Sequence, residues 1–204
     1  NDLEAFENSP LVEKMHHLKG NRKLEGDAKV TPIVNRYDQL NELVRHYAQG
    51  KETFKIIETG TWRGERAQEL ANAAFSVGVK KVIYEGYDLF ENATEETDKV
   101  EFNSKAHNTV EEVGARLADF AEKIKINSCE FEFTLTKGDT KETLKPREAD
   151  FAFLDGGHSE ATVRWDYEQC CQVPVVVFDD YITEDDNGRS QPLEHQGTNI
   201  IFDD

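Results

Sequence analysis

No stretch of this 204-residue chain approaches the ~20 consecutive apolar residues that a membrane-spanning helix needs, and no charged-then-apolar leader opens it. Neither a membrane span nor a signal peptide is therefore expected, and cytoplasmic is the default location. The chain starts at Asn1 without an initiator Met, which suggests either processing or an arbitrary starting point within a longer sequence. Cysteine is scarce: Cys129, Cys170 and Cys171 cannot all pair, and a bridge between the adjacent two would be strained. Free thiols in a reducing compartment fit this pattern best. Basic residues are also few, 24 against 41 acidic ones, for a net charge of -17. Binding a nucleic-acid backbone or an anionic membrane needs clustered Lys and Arg, so both partners are excluded as main ligands. A solvated acidic surface accounts for most of the excess, and some of those acids are candidates to hold cations. No internal repeat or low-complexity tract is present.

What remains is a polar but foldable chain, with 37% hydrophobic and 32% charged residues. Its length suits one domain with a single core and an appended arm. Residues 1 to 35 are poorly periodic and punctuated by Pro10 and Pro32, and read as an arm or lid with short helices. From 36 to 204 strands and helices alternate. Leu40, Leu43, Val44 and Tyr47 recur at helical spacing before Gly50. Strands are expected at Phe54 to Glu58, Lys81 to Tyr87 and Glu130 to Leu135, and helices at 65–76 and 102–125, the latter with Val110, Val113, Leu117, Phe120 and Ile124 as its buried stripe. The acidic stretch 91–99 reads as loop. After Asp180 only the short apolar piece Thr198 to Phe202 stands out, less than a doubly wound sheet needs to close. Strand–helix alternation with helical crossovers predicts an α/β fold, a mostly parallel sheet with helices on both faces.

Two runs near the C-terminus carry the most information. Phe151-Ala152-Phe153-Leu154 ends at Asp155 and continues Gly156-Gly157-His158; Val175-Val176-Val177-Phe178 ends at Asp179-Asp180. Apolar runs without polar alternation read as strands buried on both faces of a parallel sheet. Ligands bind such sheets outside the carboxyl ends of the strands. Three carboxylates would thus gather on one edge, where a hard divalent cation bound by oxygens explains why their repulsion is tolerated. The bland alternative leaves only Asp155 facing the site, with Asp179 and Asp180 starting a solvated turn. His158, three residues beyond Asp155, titrates near neutrality and suits a general base, or else a helix-entry histidine bonded to backbone. His16, His17, His46, His107 and His195 show no ligand spacing.

Upstream, Glu58-Thr59-Gly60-Thr61-Trp62-Arg63-Gly64 joins a strand end to a helix start. Its glycines allow a tight turn and close approach of a ligand to the backbone. It lacks the paired glycines of the dinucleotide fingerprint, and Glu65 would repel a pyrophosphate. A ligand with a sulfonium and an amino-acid end, without phosphate, fits better; a plain structural turn is the alternative. Asp88 closes the next strand about twenty residues after the turn, where an acid can accept from both ribose hydroxyls of a nucleoside or merely cap a loop. Glu85 is the lesser candidate. Asp139, in Gly138-Asp139-Thr140, lies where an adenine could be held, or N-caps a turn.

In order, these pieces resemble class I S-adenosylmethionine-dependent methyltransferases. The fragments Gly86-Tyr87-Asp88-Leu89-Phe90-Glu91, Lys137-Gly138-Asp139, Leu154-Asp155-Gly156-Gly157-His158 and Val177-Phe178-Asp179-Asp180-Tyr181 are most similar to the metal-dependent macrocin and mycinamicin sugar O-methyltransferases. The resemblance covers about residues 54 to 182. It implies that S-adenosylmethionine is held by Glu58, Gly60, Thr61, Gly64, Asp88, Leu89 and Asp139. It implies Mg²⁺ or another divalent cation on Asp155, Asp179 and Asp180, with His158 as base and Asp155 in reserve. The expected activity is transfer of a methyl group to a hydroxyl of a small molecule, such as a sugar. Glu65-Arg66 after Gly64 depart from the small Ser often found there. A metal-binding protein without catalysis, or a metal-dependent hydrolase, are the rival readings, and a homo-oligomer is left open.

Overall fold

The computed structural model describes residues 15–17, 36–101, 103, 105–180 and 197–203, with backbone alone for 15–17, 202 and 203. Among the described residues six strands form one sheet: β1 (Met15–His17), β2 (Thr53–Thr59), β3 (Lys81–Asp88), β4 (Glu130–Lys137), β5 (Phe151–Leu154) and β6 (Val176–Phe178). Their order across the sheet is β1-β6-β5-β2-β3-β4, and each neighbouring pair is parallel.

Helices α1 (Arg36–Ala48), α2 (Glu65–Ser76) and α4 (Val110–Ile124) bury apolar stripes against one face of the sheet, on Phe54, Ile56, Val82, Phe151, Phe153 and Val177. Helices α6 (Glu160–Cys170) and α7 (Gly197–Asp203) close the other, on Ile57, Ala152, Leu154, Val176 and Phe178. Every residue of β5 and β6 is buried, because successive side chains feed alternate cores. Each fully buried Phe there contributes about 1.5–3 kcal/mol. The fold is thus the doubly wound α/β sheet expected. The chain leaves β2 toward β3 and β4 on one side and returns to β5 and β6 on the other, so strand order reverses between β2 and β5 and opens a crevice at their carboxyl ends.

Four local expectations are corrected. The acidic stretch 91–99 is not loop: a 3₁₀ turn (Phe90–Asn92) leads into α3 (Glu95–Val100), started by a capping box between Thr94 and Thr97. The helix expected from 102 begins at Val110, where Thr109 and Glu112 form a second capping box. The apolar piece Thr198 to Phe202 lies in helix α7 and adds no strand. Instead β1, from the segment read as an arm with short helices, pairs alongside β6, with Met15 opposite Val176 and His17 opposite Phe178. The rest of residues 1–35 and residues 181–196 lie outside the described residues. No described helix is long and apolar enough to cross a membrane.

Candidate functional site

The crevice between β2 and β5 opens into a cleft of about 370 Å³, lined from the tips of β2 to β5 by Gly60, Asp88, Asp139, Asp155 and His158, with Trp62 at its side. Gly60 is where backbone meets backbone. At φ +84°, a Cβ there would sit 2.5 Å from the Asp155 carbonyl carbon and 2.9 Å from Gly156 N. Only glycine lets the two strand tips approach this closely.

Asp88 organises the turn. Trp62 and Phe90 both hold left-handed backbone, at φ 48° and 49°, and each donates its N–H to Asp88, at 2.7 Å to Oδ2 and 2.7 Å to Oδ1. Asp88 therefore does cap its surroundings, yet it lines the cleft with Leu89 and keeps a second acceptor site on each oxygen. Asp139 is likewise both: it N-caps the short helix α5 (Thr140–Thr143), accepting from Lys141 N at 2.9 Å, and lines the cleft.

Glu58, Thr61 and Gly64 are not among the lining residues, and neither are Asp179 and Asp180, which meet Asp155 behind the wall. Glu58 and Thr61 are buried beneath the turn around Tyr84, whose hydroxyl donates to Glu58 and lies 3.1 Å from Thr61 Oγ1. Gly64 is the left-handed N-cap of α2, packed near Val113 and Leu117. Burial pushes the Glu58 carboxyl up to about 8, against the opposing Tyr84 hydrogen bond. The folded state then keeps a proton that the unfolded chain releases near pH 4.3, so stability is lost as pH rises from there through about 8. Glu58→Gln removes this titration. Its melting temperature relative to wild type is expected to climb between pH 5 and 8; thermal melts giving a pH-independent difference would contradict the assignment.

Asp155, Asp179 and Asp180 converge, with one ligand atom from each within 4.8 Å of the others. The Asp179 side chain is fully buried, while Asp180 and His158 are partly exposed. Burial and its two like-charged neighbours hold Asp155 well above the usual carboxylate range; burial and Asp180 raise Asp179, with Arg36 opposing. Asp180 goes the other way, to about 2: burial would raise it, but the His158 hydrogen bond and Arg36 outweigh that. His158 Nδ1 lies 3.1 Å from Asp180 Oδ2. A proton on Nδ1 makes that bond and puts the ring's lone pair on Nε2, the atom that can accept a proton.

The set fits a divalent cation. Its donors are hard oxygens, and buried Asp179 Oδ1 makes no hydrogen bond, only a 3.1 Å ion pair with Arg36 Nη1. Asp180 also holds unusual backbone, at φ 54°, which turns its carboxylate beside its neighbour's.

Sequence reasoning missed Arg36 and Tyr37. Arg36 pairs with Asp180 at 2.8 Å and bonds Tyr37 Oη at 2.8 Å, and Tyr37 Oη lies 3.4 Å from Asp179 Oδ2. Both belong to the first turn of α1, some 140 residues from the acids, and no local motif marks them. In the sequence Trp62 reads only as a turn residue. Its indole donates to Ala106 O at 2.9 Å, with Lys105 Nζ 5.3 Å from its centroid. Glu101, the C-cap of α3, also lines the cleft and carries no sequence motif.

No family model matches this chain, and no curated protein matches it. Among solved structures it is similar to that of the O-methyltransferase NovP, at 18% identity and a TM-score of 0.48, over 77% of this chain and 70% of that one.

Proposed function

We propose that this protein is a metal-dependent O-methyltransferase that moves the methyl group of S-adenosylmethionine to a hydroxyl of a small molecule, with sugars the first class to test. The observation that carries the reading is a cleft lined by Asp88, suited to ribose hydroxyls, together with Asp155 and His158, where Asp155 in turn converges with Asp179 and Asp180 behind the lining. The sequence resemblance points the same way.

Asp88 would accept from the ribose hydroxyls, and Asp139 lies further along the same wall, at the tip of β4. Asp155, Asp179 and Asp180 would hold Mg²⁺ or a similar ion, which when bound lowers the acceptor hydroxyl's pKa and fixes its position. Asp180 orients His158 through Nδ1, and Nε2 takes the hydroxyl proton. The acceptor oxygen then forms its bond to the methyl carbon as the sulfonium–methyl bond breaks, leaving a neutral thioether. Asp155 is the reserve base. Holding both reactants in one cleft replaces a bimolecular encounter and supplies much of the rate.

Incubation with methyl-labelled S-adenosylmethionine and a panel of small polyhydroxylated acceptors tests this. Label should pass to an acceptor with Mg²⁺ and stop with chelator. Transfer that continues undiminished in chelator would sink the metal mechanism, and label released only as methanol would point to hydrolysis.

A further inference from the structure

Helix α3 stands over the cleft without an apolar anchor; on its own side Asp98 accepts from Asn103 Nδ2 at 3.1 Å and lies 2.9 Å from His107 Nε2. It has six residues, buries no side chain, and leaves Val100 53% exposed. A helix this short is not stable by itself, and no apolar face anchors it. Yet Glu96, Thr97, Asp98 and Val100 all line the cleft. What crosses to the opposite wall is Glu101, the C-cap of α3. Its carboxylate accepts from Ser159 N at 2.9 Å, Ser159 Oγ at 2.9 Å and Thr162 Oγ1 at 2.6 Å, nearly sixty residues away. Ser159 is the N-cap of α6 and follows His158 directly. Lys141 Nζ supports Thr162 from behind at 2.9 Å. Burial disfavours the Glu101 charge, but these donors outweigh it and keep the carboxyl below its usual range.

Gly157 is shaped for the same contact. A Cβ there would fall on the Glu101 carboxylate, 2.7 Å from Cδ, and 2.8 Å from Thr162 Cγ2. The second glycine of Gly156-Gly157-His158 thus leaves room for a carboxylate from the other side of the cleft.

We propose that Glu101 is a positioning residue, a latch that fastens α3 to the first turn of α6, closing one side of the cleft and steadying the loop that carries His158. A ligand enclosed by both walls enters and leaves when these hydrogen bonds break, as in other lids drawn from weakly held segments. The latch stands on the contacts alone; its service to a methyl-transfer site rests on the function proposed above.

The test uses the full chain with Glu101→Ala, Glu101→Gln and Gly157→Ala. Hydrogen exchange is read at the amides of 98–101 and Ser159, and S-adenosylmethionine dissociation by stopped-flow tryptophan fluorescence. Glu101→Ala and Gly157→Ala should each speed exchange at those amides and raise the dissociation rate, by about tenfold, while β2 and β5 amides stay protected. Glu101→Gln, which keeps one acceptor oxygen, should fall between. Unchanged exchange in both variants would overturn the latch. So would faster exchange with unchanged dissociation, because the latch would then not guard the cleft. If the wild-type protein binds no S-adenosylmethionine, the functional reading fails, and exchange alone still decides the latch.

Discussion

Asp179→Asn should weaken divalent-cation binding by more than about 100-fold, well beyond the loss from disturbing a group that merely supports a ligand, and should leave S-adenosylmethionine binding intact. Asp179 is the most deeply buried of the three acids and carries an oxygen with no hydrogen bond. Its amide replacement is nearly isosteric but cannot supply the charge. The fold should survive, since the change also removes one of three mutually repelling charges while Arg36 stays paired with Asp180. Because Asp155 and Asp179 are both held above the usual carboxylate range, the site takes up protons more readily than ordinary carboxylates do. A cation must displace them, so wild-type affinity should fall as the pH is lowered. Titration with Mg²⁺ or Mn²⁺ in a calorimeter checks both statements, and metal affinity equal in Asp179→Asn and wild type would refute the assignment.

Gly60→Ala should cost more stability than any exposed substitution in the domain. The added Cβ meets backbone on the far strand tip, the Asp155–Gly156 peptide, which cannot swing aside as a side chain could. Overpacking and the left-handed φ together predict roughly 2–5 kcal/mol, a large part of a domain's typical total of about 5–15 kcal/mol. For a chain of this size that is a drop of roughly 5–20 °C in melting temperature. Gly50→Ala is the control: it shares the positive φ, +79°, but nothing lies within 4 Å of its Cβ. It should cost about 1 kcal/mol. A Gly60→Ala protein melting no lower than Gly50→Ala would show that the strand tips can separate freely, and that the crevice is not built on their contact.

The features legible in the sequence were those written in short stretches. Phe151 to Leu154 and Val175 to Phe178 announce two-sided burial because every residue is apolar, and the acids that follow must then lie at one edge. Asp88 and Asp139 were legible as strand-end acids, though each proves to be both a cap and part of the cleft wall. Glu58 looked like part of a ligand loop; the alternation of β2 instead turns it inward to Tyr84. The illegible features depend on tertiary contact. Arg36 reaches Asp180 across 144 positions, and Glu101 reaches Ser159 across 58. The three residues of β1 are too few to show a period, and α3 is polar except for Val100 and signalled only by its capping residues.

The most direct test of the central claim is a calorimetric titration of the folded protein with S-adenosylmethionine in the presence of Mg²⁺. Saturable one-to-one binding, in the micromolar range on the order typical of small-ligand sites, is the expected result and would reduce the question to the identity of the hydroxyl acceptor. No heat of binding from a sample shown to be folded would contradict the methyltransferase reading and leave the acid cluster to a hydrolase or a binding protein.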